Sequence, residues 1–408
     1  MHAAHSPPVD VAERTLRLLD EGRYSATYKQ AVLVALIDLC LESTRHDGTP
    51  TDVLTTRQLA EKVVALYWPH TRVWATEGTG RILVQNMSGP REKVERGGGI
   101  VAKIRIFREE LERFAPGTAT LAAARSAHRA RYESLVDDVE WTLIEMPLPK
   151  LQRIGDSNTE WLYHIDWRDT DERDAAHCDK PLPSAAQVRA YQRDLRLKME
   201  ASDPDTPSGH SSAASSDFDN RVHLQPGVAS AFARLHGLLR PHVLRHWTAQ
   251  VVRLNKLRDD DVGGFLFEQE RQDTSAVRAP LIELQGGRCF YCACQLTGPV
   301  HVDHFIPWAR HPDNGLHNLV AADSGCNGAK KDYLASLTHL ARWRTRAIEH
   351  AAGLEAIAAA CHWDDGSKRI LGVARAIYLA LPAQMPLWRG GREFEPSDAA
   401  SLARALVA

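Results

Sequence analysis

No stretch of this chain stays apolar for the roughly 20 residues that a membrane-spanning helix requires, so no such helix is expected. The opening segment, MHAAHSPPVD, has no basic patch leading into an apolar one, and no secretory signal is expected there. An excess of one charge is lacking too. Lys and Arg number 50 and Asp and Glu 52, a net charge of -2, so nothing pulls the whole molecule toward a polyanion. Any contact with nucleic acid must come from a local basic face. Cysteine is scarce, seven in 408 residues, and four of the seven fall between positions 289 and 326. An odd, clustered set argues against a secreted disulfide framework and for metal ligation in a reducing compartment. The glycine run Gly97-Gly98-Gly99 has no Gly-Lys-Ser/Thr behind it, which excludes a phosphate loop. A soluble, cytoplasmic protein is the expectation.

What is present reads as mostly helix. The length allows two or three domains, each with its own core. Apolar residues repeat at helical spacing over Val11 to Leu19, and again from Thr27 through Ala31, Val32, Ala35, Leu36, Leu39 and Cys40. Thr27 with Gln30, and Thr55 with Gln58, have capping-box spacing. The Thr55 helix should run to Trp68, where Pro69 stops it. Further helices are expected over 101–114 and 119–136. Between Trp141 and Trp167, TLIEMPLP and WLYHIDW predict a local strand pair. Residues 1–167 are thus expected to form a helical N-terminal domain, a place for a second copy or a partner protein to bind. Residues 168–220 read as a polar linker or loop containing one helix, around Ser184 to Met199.

The remainder, 221–408, divides into a basic helix (221–258), a chemically distinctive module (281–337) and a helical tail (338–408). Between Arg221 and Arg258 there is no Asp or Glu. Trp247, Val251 and Leu254 mark the apolar side of a helix there. Arg245, Arg253 and Lys256 are then candidates for contacts that release counterions from phosphates.

The module concentrates the chemistry. Cys289 and Cys292 can place two thiolates on one zinc ion, Cys326 is a third ligand, and Asp323 is a weaker fourth, with Cys294 as a more strained substitute. Val302-Asp303-His304-Phe305-Ile306-Pro307 offers a different pairing. Histidine suits a general base near neutral pH, and a carboxylate beside it suits Mg²⁺ or Mn²⁺. Neighbouring side chains on a strand point to opposite faces, so Asp303 and His304 diverge unless the chain turns near Pro307. A core histidine beside a surface aspartate is the competing reading.

In order and spacing, Cys289-x-x-Cys292, Val302-Asp303-His304, Asn318-Leu319-Val320 and Cys326-Asn327 resemble the HNH (ββα-metal) endonuclease family. The resemblance covers about residues 281–337. It implies a small ββα-metal nuclease module, which within the helical chain makes the expected fold mainly α with that module, α+β overall. It implies that His304 is the general base, oriented by an acceptor from the Asn318 loop. Asp303 and Asn327 would hold a catalytic Mg²⁺ or Mn²⁺, beside a structural Zn²⁺. Lys330 and Lys331 would clamp phosphate from the helix after Asn327, whose N-terminal end would face the anion. His301 and His317 are neighbours without an assigned role. The implied activity is hydrolysis of phosphodiester bonds, with DNA the preferred substrate, in bacterial restriction or phage defence. The alternative is a zinc-stabilised nucleic-acid-binding module with vestigial catalysis. The two part at His304 and Asn327.

Overall fold

The computed structural model describes residues 8–22, 24–76, 79–86, 99–114, 120–155, 159–167, 182–201, 218–258, 261–267 and 273–407. Gly97, Gly98, Cys178 and most of the Ser/Asp/Pro stretch lie outside them. The helix predicted from Thr27 spans Tyr28–Glu42, and every residue from Gln30 to Glu42 is buried. A helix apolar on all sides belongs at a centre. The helices Thr56–Tyr67, Val228–Asn255 and Ser367–Leu379 pack against it.

Burial also explains a missing cap. The Thr27 hydroxyl lies 2.7 Å from the Tyr67 hydroxyl and donates to Gln85 at 2.8 Å, while Gln30 turns to Gln250 and His246. Tertiary partners outcompete the local one, and the Thr27 capping box does not form. At Thr55 it does: the Gln58 amide donates to the Thr55 hydroxyl at 3.2 Å, and the Thr55 amide to Gln58 Oε1 at 2.9 Å.

The local strand pair predicted for 141–167 is not there. The helix Arg129–Glu145 runs through its first half, and Pro147 opens a short helix, Pro147–Lys150. Tyr163–His164 is a two-residue strand whose partner is distant, Arg221–Leu224, which pairs on its other side with Val53–Thr55. The expected helix over 119–136 is two, Leu121–Ala127 and Arg129–Glu145, divided at His128. The basic stretch forms Val228–Asn255, and it packs on Pro8–Glu21 and Tyr28–Glu42. One apolar core consequently runs from Val11 to Leu266, with Trp247 and Val251 inside it.

Two further cores flank a small antiparallel pair, Val300–His304 with Leu319–Asp323, in which Asp303 faces Val320 and His304 faces Leu319. The run Leu319-Val-Ala-Ala322 is apolar without alternation because both of its faces are covered. Val320 and Ala322 join Phe305, Ile306, Trp343 and Trp388, whereas Leu319 and Ala321 join Val277, Leu281, Leu354 and Trp363. The expected helical tail opens with the helix Leu337–Glu349, whose Leu340 and Trp343 are buried. Leu41, near the end of the central helix, belongs to the second core, so that helix reaches both. There Gly372 abuts it so closely that an added Cβ would sit 1.9 Å from the Glu42 carbonyl oxygen. The described chain is mainly helical with small separate sheets, and within it no helix is long and apolar enough to cross a membrane.

Candidate active site and metal cluster

The turn after Arg288 is built to gather sulfur. The Cys289 amide donates to the Cys294 carbonyl at 2.9 Å, and Ala293 takes a left-handed conformation, φ 58°, to close the knuckle. Across the strand pair, the Asp323 amide lies 3.4 Å from Cys289 Sγ, and Cys292 Sγ lies 3.4 Å from Asp323 Oδ2. Ligand atoms of Cys289, Cys292, Asp323 and Cys326 all lie within 4.8 Å of one another. Cys294 is not among them; its thiol is exposed and lies near the Cys292 carbonyl. Arg342 and His339, from the helix Leu337–Glu349, hold the Tyr291 carbonyl at 3.0 and 3.2 Å and so fix the knuckle to the second core.

Beside the cluster is a cleft of about 450 Å³, whose lining includes His301, Asp303, His304, Asn327, Lys331 and Arg278. Asp303 Oδ2 accepts from the Tyr291 hydroxyl at 2.5 Å and lies 3.1 Å from Lys330 Nζ. The same ammonium donates to the His304 carbonyl at 2.8 Å. His304 Nε2 lies 2.9 Å from Asn314 Oδ1, and its ring meets Trp308 edge to face. Asn327 Nδ2 lies 3.0 Å from His301 Nδ1. Residues 291–336 match the family model for HNH endonucleases. No curated protein and no solved structure matches the chain.

Within this HNH segment, the charges are set by burial. His304 titrates below the ordinary imidazole value because it is desolvated; the Asn314 bond and the Asp303 charge oppose that shift without reversing it. A neutral imidazole near pH 7 follows. An amide oxygen only accepts, so His304 Nε2 carries the proton and Nδ1 keeps the lone pair. Tyr291 is pushed well up by burial and by Asp303, and so stays a donor to that carboxylate.

Asp303, His304 and Asn327 therefore share one cleft. Asn318 does not join them. It is fully buried and ties its own loop together: Oδ1 accepts from the Ile306 amide at 2.8 Å, and Nδ2 donates to the Asp313 and Ile306 carbonyls at 3.1 and 3.2 Å. Lys330, expected as a phosphate clamp, is also fully buried and is committed to Asp303 and His304; the exposed cation of the pair is Lys331. The helix Ser324–Lys330 does not offer its first turn to an anion either, because the Asp323 carboxylate caps it at the Cys326 amide, 2.8 Å away. Arg245, Arg253 and Lys256 are exposed on Val228–Asn255 and the residue after it, but none lines the cleft. His317 lies outside the cleft, 3.2 Å from Asp365.

Several contributors were not singled out from sequence. Asn314, Tyr291 and Arg278 belong to this group, and only the Pro-Asp-Asn-Gly turn at 312–315 carried a local signal. That turn is anchored deep in the molecule. Asp313 accepts from the Gly315 amide at 2.6 Å and from Arg369 at 2.6 and 2.8 Å. His311 is buried with Nε2 3.7 Å from Glu42, and its ring packs on His236. Asp38 in turn pairs with His236 at 3.1 Å and Arg240 at 2.7 Å. A polar seam thus runs from the central helix to the residue that orients His304.

Proposed function

We propose that the chain is a metal-dependent endonuclease that hydrolyses phosphodiester bonds in DNA. The observation that carries this reading is a neutral, oriented His304 sharing an open cleft with Asp303 and Asn327, inside a segment matching HNH endonucleases. The strand pair followed at once by the helix Ser324–Lys330 has the order of a ββα-metal module.

The donor sets suit two different ions. Three thiols and a carboxylate suit zinc, whose tetrahedral ligands at about 2.3 Å lie about 3.8 Å from each other. The Cys326 thiol is pushed up by burial and then by the neighbouring Cys289 and Cys292 thiols, a repulsion that a bound cation relieves. Asp303 and the Asn327 amide oxygen are hard donors that suit Mg²⁺ or Mn²⁺, which would neutralise charge at the scissile phosphate. The chain's own residues do the rest. His304 Nδ1 accepts the proton of the attacking water, Asn314 keeps the ring in that tautomer, and Lys330 and Tyr291 hold Asp303 in place. Lys331 and Arg278 face the cleft as phosphate partners.

The test is cleavage of plasmid DNA with Mg²⁺ or Mn²⁺, with His304→Ala as the control. Loss of cutting with binding retained supports the enzyme. Metal-dependent binding without cutting in the wild type would establish the zinc-stabilised binding module instead. The resemblance extends the proposal to restriction or phage defence, which a plaque assay with wild type and His304→Ala tests directly.

A further inference from the structure

His301 stands in the cleft with no part in the reaction as described. It is exposed, its Nδ1 lies 3.0 Å from the terminal amide of Asn327, and among the described residues its ring makes no other hydrogen bond. Residues two apart on a strand share a face, so His301 and Asp303 rise from the same side of Val300–His304. Their cross-strand neighbours are Ala322 and Val320, which bring no competing polar group. Both Asp303 contacts fall on Oδ2, leaving Oδ1 without a protein partner among the described residues.

We propose that His301 is a third protein ligand of the ion held by Asp303 and Asn327, and that it tunes the site toward Mn²⁺ over Mg²⁺. The inference rests on the endonuclease reading. Adjacent ligands of an octahedral ion at about 2.1 Å are about 3.0 Å apart, since the separation is √2 times the bond length. The imidazole nitrogen and the Asn327 amide terminus have that separation already. Turning the Asn327 amide over brings its oxygen to the place of its nitrogen, a change that leaves the side chain's shape intact. A site of two oxygens and one imidazole nitrogen favours a first-row transition ion, because Mg²⁺ prefers oxygen throughout. The plain alternative is a surface hydrogen bond between His301 and Asn327, without bearing on metal choice.

The experiment uses the full chain with its cysteine cluster loaded with zinc. Mn²⁺ is titrated in, and nitrogen coupling to the bound ion is read by pulsed electron paramagnetic resonance. Directly bound imidazole nitrogen should appear in the wild type and in His304→Ala. It should vanish in His301→Ala, with Mn²⁺ affinity falling about tenfold or more. His301→Asp should keep the ion, lose the nitrogen signal and move the preference toward Mg²⁺. If Mn²⁺ binds in an Asp303-dependent way without nitrogen coupling, His301 is not a ligand while the catalytic site stands. If Asp303→Ala leaves Mn²⁺ binding unchanged, the ion site itself is wrong, and both readings fall.

Discussion

Replacing Lys330 with methionine separates a structural role from a phosphate-binding one. Methionine keeps the apolar stem, and only the ammonium is lost. That group lies 3.1 Å from Asp303 Oδ2, an attraction of about 5 kcal/mol at an effective dielectric of about 20. Desolvating both charges offsets much of this, and the intact pair adds little net stability. Deleting one member is different, because the Asp303 side chain is only 12% exposed and would keep the Tyr291 hydroxyl as its one donor. The expected cost is about 3 kcal/mol, the lower end for an uncompensated buried charge, read as a lower urea midpoint at unchanged slope. DNA binding without divalent cation supplies the second readout. Each phosphate contact contributes about 0.9 to the slope of log affinity against log salt. Lys330→Met should leave that slope alone, whereas Lys331→Met should lower it by about 0.9. A Lys330→Met protein as stable as wild type, with its salt slope reduced, would refute this reasoning and restore the clamp.

The pH dependence of cleavage should be flat through neutrality and fall on the acid side below the usual imidazole value near 6.5, since burial lowers His304. Asn314→Ala removes a contact that raises it, so the acid limb should move lower still while the plateau rate drops about tenfold or more; a limb above 6.5 contradicts the burial argument. Asp323→Cys should tighten zinc in a competition with a coloured chelator, yet the zinc-free variant should lose about 1 kcal/mol because Asp323 also caps Ser324–Lys330. Equal zinc affinity in the two proteins would remove Asp323 from the ligand set. His311 is held neutral by burial down to about 3, whereas in the unfolded chain it protonates near 6.5. The unfolded state therefore binds the extra proton in that window, and stability should rise with pH across it by up to about 1.4 kcal/mol per unit. His311→Gln should flatten the rise, and an unchanged profile would show that the seam does not titrate.

Local signals were legible where the chemistry is local. The Thr55 cap and the cysteine cluster both depend on residues whose spacing is visible in the chain. The Thr27 cap was not, because Tyr67 and Gln85 arrive from far along the sequence. The strand at Tyr163 falls within the predicted WLYHIDW, but its pairing was not legible for the same reason: its partner lies some 60 residues on, beyond a polar stretch. Asp303, His304 and Asn327 could be named only through the resemblance to HNH endonucleases, which their order and spacing carry. Lys330 could not be told from Lys331, since adjacent lysines on a short helix look alike until one of them is seen to be buried. Asn314 was hidden behind the more conspicuous Asn318, whose amide serves the loop while Asn314 meets His304.

Gly372 gives this architecture a tight contact that can be pried apart. The helix Ser367–Leu379 meets the end of Tyr28–Glu42 where even a methyl group has no room, and the obstructing atom is a backbone oxygen that cannot rotate away. Gly372→Ala would act as a wedge driven between the helix that carries Asp38 and Glu42 and the one that carries Arg369. It touches no cleft residue, yet both ends of the seam that steadies Asn314 are fastened to the helices it parts. A single carbon far from the chemistry thus becomes a throttle: cutting would slow in proportion to how far the two helices are forced open, with the cleft's own side chains left in place.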